Sequence, residues 1–210
     1  MATLDLTVRY FQDATPEGVP WREESFIRRE ISMALPLAQT ALVLVDVWDN
    51  HFIESWLERA TRWTAEGVVP VLDRARAGQY AAFRGPRSQP PGIPEIPNLG
   101  MSPLVEVRDD EYVVATGDQL HALATEQGWL HLIYAGFATN WCILNRDYGM
   151  RAMARRGYNL ILLRDATMGV EFPDTVDSCF ATEMAIREVE QQLGFTAANG
   201  DFFAASGHAI

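Results

Sequence analysis

Tyr134-Ala-Gly-Phe-Ala-Thr-Asn-Trp-Cys142 closes an apolar run that opens at Trp129-Leu-His-Leu-Ile-Tyr-Ala135. A run this apolar, without alternation, is expected of a parallel strand covered on both faces. The polar residues after it read as a tight turn opening a helix from Asn140 to about Arg156. Gly136 permits a sharp bend, and Thr139 or Asn140 is placed to cap the helix. A cysteine at such a helix N-terminus meets unpaired backbone N–H groups and the positive end of the helix dipole, which favour a thiolate. The geometry expected is a nucleophile elbow, with N–H donors for an oxyanion beside the sulfur. Cysteine is also among the residues most often buried for packing alone. On this stretch the reactive and the structural readings stand even.

Working outward, Thr40-Ala-Leu-Val-Leu-Val-Asp46 is a second continuous apolar run, ending in a carboxylate. Asp46 then lies at the C-terminal end of a strand, where open α/β sheets place their ligands. Helical spacing follows over Phe52–Arg62 and Thr64–Arg76, and again over Asp118–Gln127 and Asp174–Leu193. The last of these would carry Cys179 in the core. Further strands are expected at Gln79–Phe83, Pro103–Val107, Tyr158–Leu163 and near Phe195 and Asp201–Ala204, with Arg84–Pro94 a loop. Strands alternating with helices give a doubly wound (Rossmann-like) three-layer α/β/α sandwich with a mainly parallel sheet of about six strands. Residues 1–39 have no core of their own. They are expected to form an arm, with Leu4–Tyr10 an edge strand, packed on a domain spanning 40–210 or on a neighbouring subunit.

The chain has 210 residues, 48% of them hydrophobic, which suits one α/β domain. A net charge of −11 argues against nucleic-acid or anionic-membrane partners, which would repel it. No apolar run approaches a membrane span and Met1–Asp13 has no leader pattern, so a cytoplasmic protein is expected. The two cysteines give no disulfide framework or zinc spacing. All 17 basic residues are arginine; there is no lysine.

Leu42-Val-Leu-Val-Asp46, Gly136-Phe-Ala-Thr-Asn-Trp-Cys-Ile143 and Gly157–Ala166 together resemble the isochorismatase-like cysteine hydrolases, over about Thr40 to Phe203. That family uses an Asp, a Lys and a Cys. The resemblance implies Cys142 as nucleophile and Asp46 as general base, then acid, with a thioester intermediate. It also implies an oxyanion hole from the backbone N–H groups of Ala138 and Cys142, and a cis Phe137–Ala138 peptide. The lysine is expected near Val107–Thr116, where there is none. Arg84 or Arg108 is the expected substitute, each also readable as a solvated surface arginine. Arginine supplies charge but cannot shuttle a proton near neutral pH.

The loop where nicotinamidases carry metal-binding histidines has none here, so no metal and no cofactor are expected. Trp48, Asn50, His51, Trp141 and Phe172 are the candidate pocket residues. For Asn50 a bond to Asp46 is considered; a surface or capping role is the plainer reading of His51, and capping and packing explain Asn140 and Trp141 as well as a place in the pocket does. The expected activity is hydrolysis of a C–N bond in a small amide, imide or ureide by a homodimer or homotetramer. Its rivals are a catalytically silent ligand-binding or scaffold relative and a biosynthetic enzyme reusing the pocket without hydrolysis. Vinyl-ether cleavage is a minor further possibility.

Overall fold

The computed structural model describes residues 2–20, 23–77 and 100–207. Four strands run parallel: β3 (Thr40–Val45), β4 (His131–Phe137), β5 (Asn159–Met168) and β6 (Phe195–Ala197). β1 (Thr3–Asp13) and β2 (Phe26–Pro36) form a hairpin that joins β6 antiparallel through Arg9 and Thr196, giving the order β2-β1-β6-β5-β4-β3. Alternating residues of β4 serve two cores. Ile133, Ala135 and Phe137 pack toward α1 (Glu54–Trp63), α2 (Val69–Ala77) and α6 (Asn199–Ser206). Leu132 and Tyr134 pack toward α3 (Gly117–Gln127), α4 (Met150–Arg155) and α5 (Phe180–Glu188). Helices on both faces of a mostly parallel sheet make the three-layer sandwich that the strand–helix alternation implied.

Gly136 is required where β4 passes β3. Its φ is +107°, and a Cβ there would stand 2.2 Å from the Val45 carbonyl oxygen. That close approach brings the end of β3, and so Asp46, beside the turn that follows β4.

Several elements differ from the sequence reading. β1 is interior rather than an edge, because β2, which polar composition concealed, pairs along its full length. The hairpin's Leu4, Leu6, Val8 and Leu35 join the main core. Pro103–Val107 is irregular: Val105 N–H closes a turn on Ser102 O, and Leu104 is left exposed. The helix expected over Asn140–Arg156 is broken by a turn around Asp147, whose carboxylate accepts the Gly117 N–H at 2.8 Å. α5 begins only at Phe180, because Glu171 accepts the N–H groups of Ala181 and Thr182 and so defines the helix N-terminus. Cys179 is therefore a half-exposed cap residue in the left-handed region, not a core residue. Asn199–Ser206 is helical, so no strand forms at Asp201–Ala204. The expected strand Gln79–Phe83 lies outside the described residues.

Candidate functional site

Asp46 follows β3 directly and adopts a left-handed φ of +47°, a conformation Asp tolerates better than most residues. Its side chain is 5% exposed and fully engaged. Arg146 places Nε and a terminal N–H on Oδ2 at 3.0 and 2.8 Å, and the Tyr148 hydroxyl donates to Oδ1 at 2.9 Å. Both donors come from the segment after the turn that carries Cys142. The Arg146 N–H bonds the Cys142 carbonyl, and the buried Tyr134 hydroxyl fixes the Tyr148 carbonyl at 2.8 Å. Burial works against the Arg146 charge, but the attraction and hydrogen bonds of Asp46 hold the guanidinium protonated above its ordinary range. Burial also raises the Tyr148 phenol, with the Asp46 charge adding to it.

The turn bearing Cys142 is a wide π-type turn, Thr139–Ile143, in which the Ala138 carbonyl accepts from Ile143 at 3.2 Å and from Trp141 at 3.0 Å. Such turns occur often at functional sites. The Phe137–Ala138 peptide before it is cis. Two clamps hold the turn against β5 and its following loop. Asn140 bonds both the carbonyl and the N–H of Val170, at 2.8 and 3.0 Å, and the Thr139 and Thr167 hydroxyls meet at 2.7 Å.

The Cys142 thiol feels the Asp46 carboxylate on one side and the Ala138 N–H on the other. Burial first, then the charge and hydrogen bond of Asp46, push the thiol up to about 12, outweighing Arg146 and the Ala138 N–H. This corrects the expectation of a thiolate poised by a helix dipole. The next regular helix, α4, starts only at Met150, so no long stack of aligned peptides ends at Cys142, and the nearby cation is already committed to Asp46. Burial and the Asp46 charge therefore favour the neutral thiol over the thiolate.

Arg146 and Tyr148 were not among the residues singled out from the sequence. Arg108 is exposed; its backbone N–H and charge face Glu111, whereas Arg146 faces Asp46. Arg84 lies outside the described residues. His51 Nδ1 accepts the Ile53 N–H at 3.1 Å, leaving Nε2 to carry the proton of the neutral ring. Burial lowers its pKa, so the ring is uncharged near pH 7. It lies against Phe52 and Trp56 with centroids 4.4 and 4.3 Å away, and Trp141 is 6.5 Å off. Asn50 is not a hydrogen-bond partner of Asp46. Trp48 shares an elongated cavity of about 410 Å³ with Asp46 and Tyr148. Phe172 instead faces a separate open depression beside α5, 63% exposed.

Among the described residues the cavity is lined by β3, α2 and α3, with Asp46 and Tyr148 in its wall and Cys142 not among its lining residues. Among the described residues its charged lining is Asp46, Arg76 and Glu111. Asp46 is held by Arg146, and Arg76 and Glu111 bond each other at 2.5 and 3.0 Å. A ligand entering here meets no uncompensated charge from these walls.

Compared with known proteins, residues 40–192 match the isochorismatase domain model. No curated protein matches the chain. Among solved structures, a cysteine hydrolase from Pseudomonas syringae pv. phaseolicola 1448A is similar at a TM-score of 0.66 with 14% identity, covering 84% of this chain and 96% of that one. An isochorismatase-like hydrolase from Alkaliphilus metalliredigens gives 0.59 with 16% identity over 81% and 98%. An isochorismatase from Pseudomonas putida KT2440 gives 0.55 with 20% identity over 78% and 90%. At these identities the likeness is one of fold.

Proposed function

Because this chain belongs to the isochorismatase domain family, we propose that it is a cysteine hydrolase that opens a C–N bond of a small, uncharged amide, imide or ureide at Cys142. The observation that carries the reading is a buried Asp46 carboxylate, gripped by Arg146 and Tyr148, acting on the Cys142 thiol. In the reaction, the thiol proton passes to Asp46 as Sγ attacks the carbonyl carbon. The oxygen takes the electron pair, facing the N–H groups of Ala138 and Cys142. The C–N bond then breaks, Asp46 returns the proton to the departing nitrogen, and a thioester remains. Water, losing a proton to Asp46, attacks the thioester carbon; the C–S bond of the tetrahedral adduct breaks, the acid leaves, and Asp46 returns its proton to Sγ.

Arg146 takes the electrostatic place of the absent lysine without moving a proton. At rest its charge balances the Asp46 carboxylate. Once Asp46 is protonated, the negative charge lies on sulfur or on the substrate oxygen, close to the same guanidinium. Arg146 thus retains an anionic partner through each step, and charge shifts only a few ångströms. The paired charges lining the cavity favour an uncharged substrate. Trp48 and Tyr148 add aromatic side chains to its lining.

The test is a panel of uncharged primary amides, cyclic imides and ureides, read by released ammonia or amine, with mass spectrometry of the intact chain for an acyl adduct on Cys142. Turnover by wild type and none by Cys142→Ser supports the proposal. Absence of both product and adduct across the panel favours a silent ligand-binding relative, a reading that gains from the full engagement of Asp46 in the resting site.

A further inference from the structure

We infer that Tyr148 is a catalytic residue: the proton held by Asp46 reaches the departing nitrogen through the Tyr148 hydroxyl. On the cysteine-hydrolase reading, on which this step depends, Asp46 takes the thiol proton and must later give it up. Arg146 supplies charge in place of the absent lysine but releases no proton near neutral pH. A phenol can release one proton while taking another, so it never has to bear a charge. Tyr148 is placed to do this. Its hydroxyl lies 2.9 Å from Asp46 Oδ1, within reach of a proton transfer. Its main chain is fixed from behind, where the buried Tyr134 hydroxyl donates to the Tyr148 carbonyl at 2.8 Å.

The bonds on Asp46 decide which oxygen carries the proton. Oδ2 accepts Nε–H and a terminal N–H of Arg146, at 3.0 and 2.8 Å, which occupies its lone pairs. Among the described residues, Oδ1 accepts from the Tyr148 hydroxyl, so the thiol proton arrives there, beside the phenol. The neutral carboxyl O–H then donates to the phenol oxygen, and the phenol O–H turns off Asp46 toward the cavity. Asp46 and Tyr148 both stand in the cavity wall, and among the described residues that line it Cys142 is absent. With the substrate carbonyl carbon at Sγ, a leaving nitrogen on the cavity side faces the phenol. Burial, then the Asp46 charge, keeps the phenol from ionising, so the two transfers are concerted. The C–N electron pair moves to nitrogen as the phenol proton passes to it, and the Asp46 proton moves to the phenol oxygen. The carbonyl re-forms, the amine leaves neutral, and Asp46 is again a carboxylate paired with Arg146.

The test compares single-turnover acylation of Cys142 by an amide or ureide of the panel with acylation by the p-nitrophenyl ester of the same acid, read by intact mass spectrometry. The p-nitrophenolate departs without a proton, so only the amide needs the relay. Tyr148→Phe keeps the ring and removes the hydroxyl. It is expected to slow amide acylation at least ~100-fold more than ester acylation. Equal slowing with both substrates would show that Tyr148 only positions Asp46, and an unchanged amide rate that another group supplies the proton; either overturns the inference. A second readout needs no variant, should Tyr148→Phe misfold. In mixtures of light and heavy water, wild-type amide acylation should follow a bowed dependence on deuterium content, because both protons of the relay move together. A linear dependence overturns the relay while leaving the hydrolase reading intact. Wild type that takes up no acyl group from any amide of the panel removes the hydrolase reading itself, and the relay with it.

Discussion

At the scale of single residues, the site depends on how three groups share one proton and one positive charge. The Asp46 charge and hydrogen bond hold the Cys142 proton in place, so removing that charge should make the resting thiol more reactive while abolishing hydrolysis. Asp46→Asn is expected to speed alkylation of Cys142 several-fold near pH 8. Each tenfold gain in thiolate is partly offset by the lower nucleophilicity of a more acidic thiol. Slower alkylation in Asp46→Asn would contradict the thiol-to-carboxylate geometry. Arg146 carries the complementary prediction. Arg146→Gln leaves the buried Asp46 carboxylate without its cation, which costs about 3 kcal/mol of stability and raises the thiol further. Alkylation should slow, and turnover of any substrate found should fall about 10²–10³-fold. Arg146→Lys should recover part of both, because a point charge suffices for balance even where the two-pronged contact is lost.

At the scale of elements, one close approach sets the position of the Cys142 turn, and one buried ion cluster ties the hairpin to the sheet. The first is the close approach of β3 and β4 at Gly136. Gly136→Ala puts a methyl group against the Val45 carbonyl at a positive φ and should destabilise the fold by at least ~3 kcal/mol. A melting temperature lowered by at least ~6 °C checks this; an unchanged one would mean that β3 yields readily. The second is the tie between the hairpin and the sheet. The Glu190 carboxylate, wholly buried, meets Arg9 at 3.3 Å, Arg28 at 2.8 Å and the Thr196 hydroxyl at 2.7 Å. Glu190→Ala leaves two arginines facing an emptied pocket, so amides of β1 and β2 should lose hydrogen-exchange protection before those of β4. Uniform loss across both regions would show that the hairpin and sheet open together.

At the scale of the whole molecule, acid should destabilise the fold in two stages. His51 and His131 are held below their ordinary pKa by burial. As pH falls through about 6.5, the unfolded chain takes up their protons first, so stability declines on the acid side. Glu111 and Glu171 stand below the usual carboxylate range: burial opposes this, but Arg76 holds Glu111, and hydrogen bonds from Thr182 and Thr175 hold Glu171. Their contribution is present above the unfolded pKa and is lost as pH falls through the lowered folded values. Melting temperature should therefore drop from pH 7 to 5 and again below about 4.5. His51→Gln should flatten the first step; a melting temperature constant between pH 7 and 5 would contradict it.

The sequence by itself determined the layered architecture and pointed to two positions of the candidate site. Continuous apolar runs at Thr40–Val45 and Leu130–Ala135 can satisfy both faces only inside a covered parallel sheet. Residues at the C-terminal ends of parallel strands emerge on the same edge, but it was the resemblance of Leu42–Asp46 and Gly136–Ile143 to the isochorismatase-like hydrolases that singled out Asp46 and Cys142 together. Tertiary structure decided what surrounds them. Arg146 and Tyr148 carry no mark distinguishing them from a solvated basic stretch. Their side chains reach Asp46 only because the expected helix breaks at Asp147 and the chain turns back over β3. The charge state of Cys142 was likewise beyond the sequence, since it follows from burial and from which group has already taken the nearby cation. The β1–β2 hairpin was obscured because its core-facing residues alternate with polar ones that read as solvated until both strands are laid side by side. Local pattern fixes which residues are strand or turn and where they end. Which side chain compensates which charge is settled by distances across the fold, and those exist only once the chain has closed.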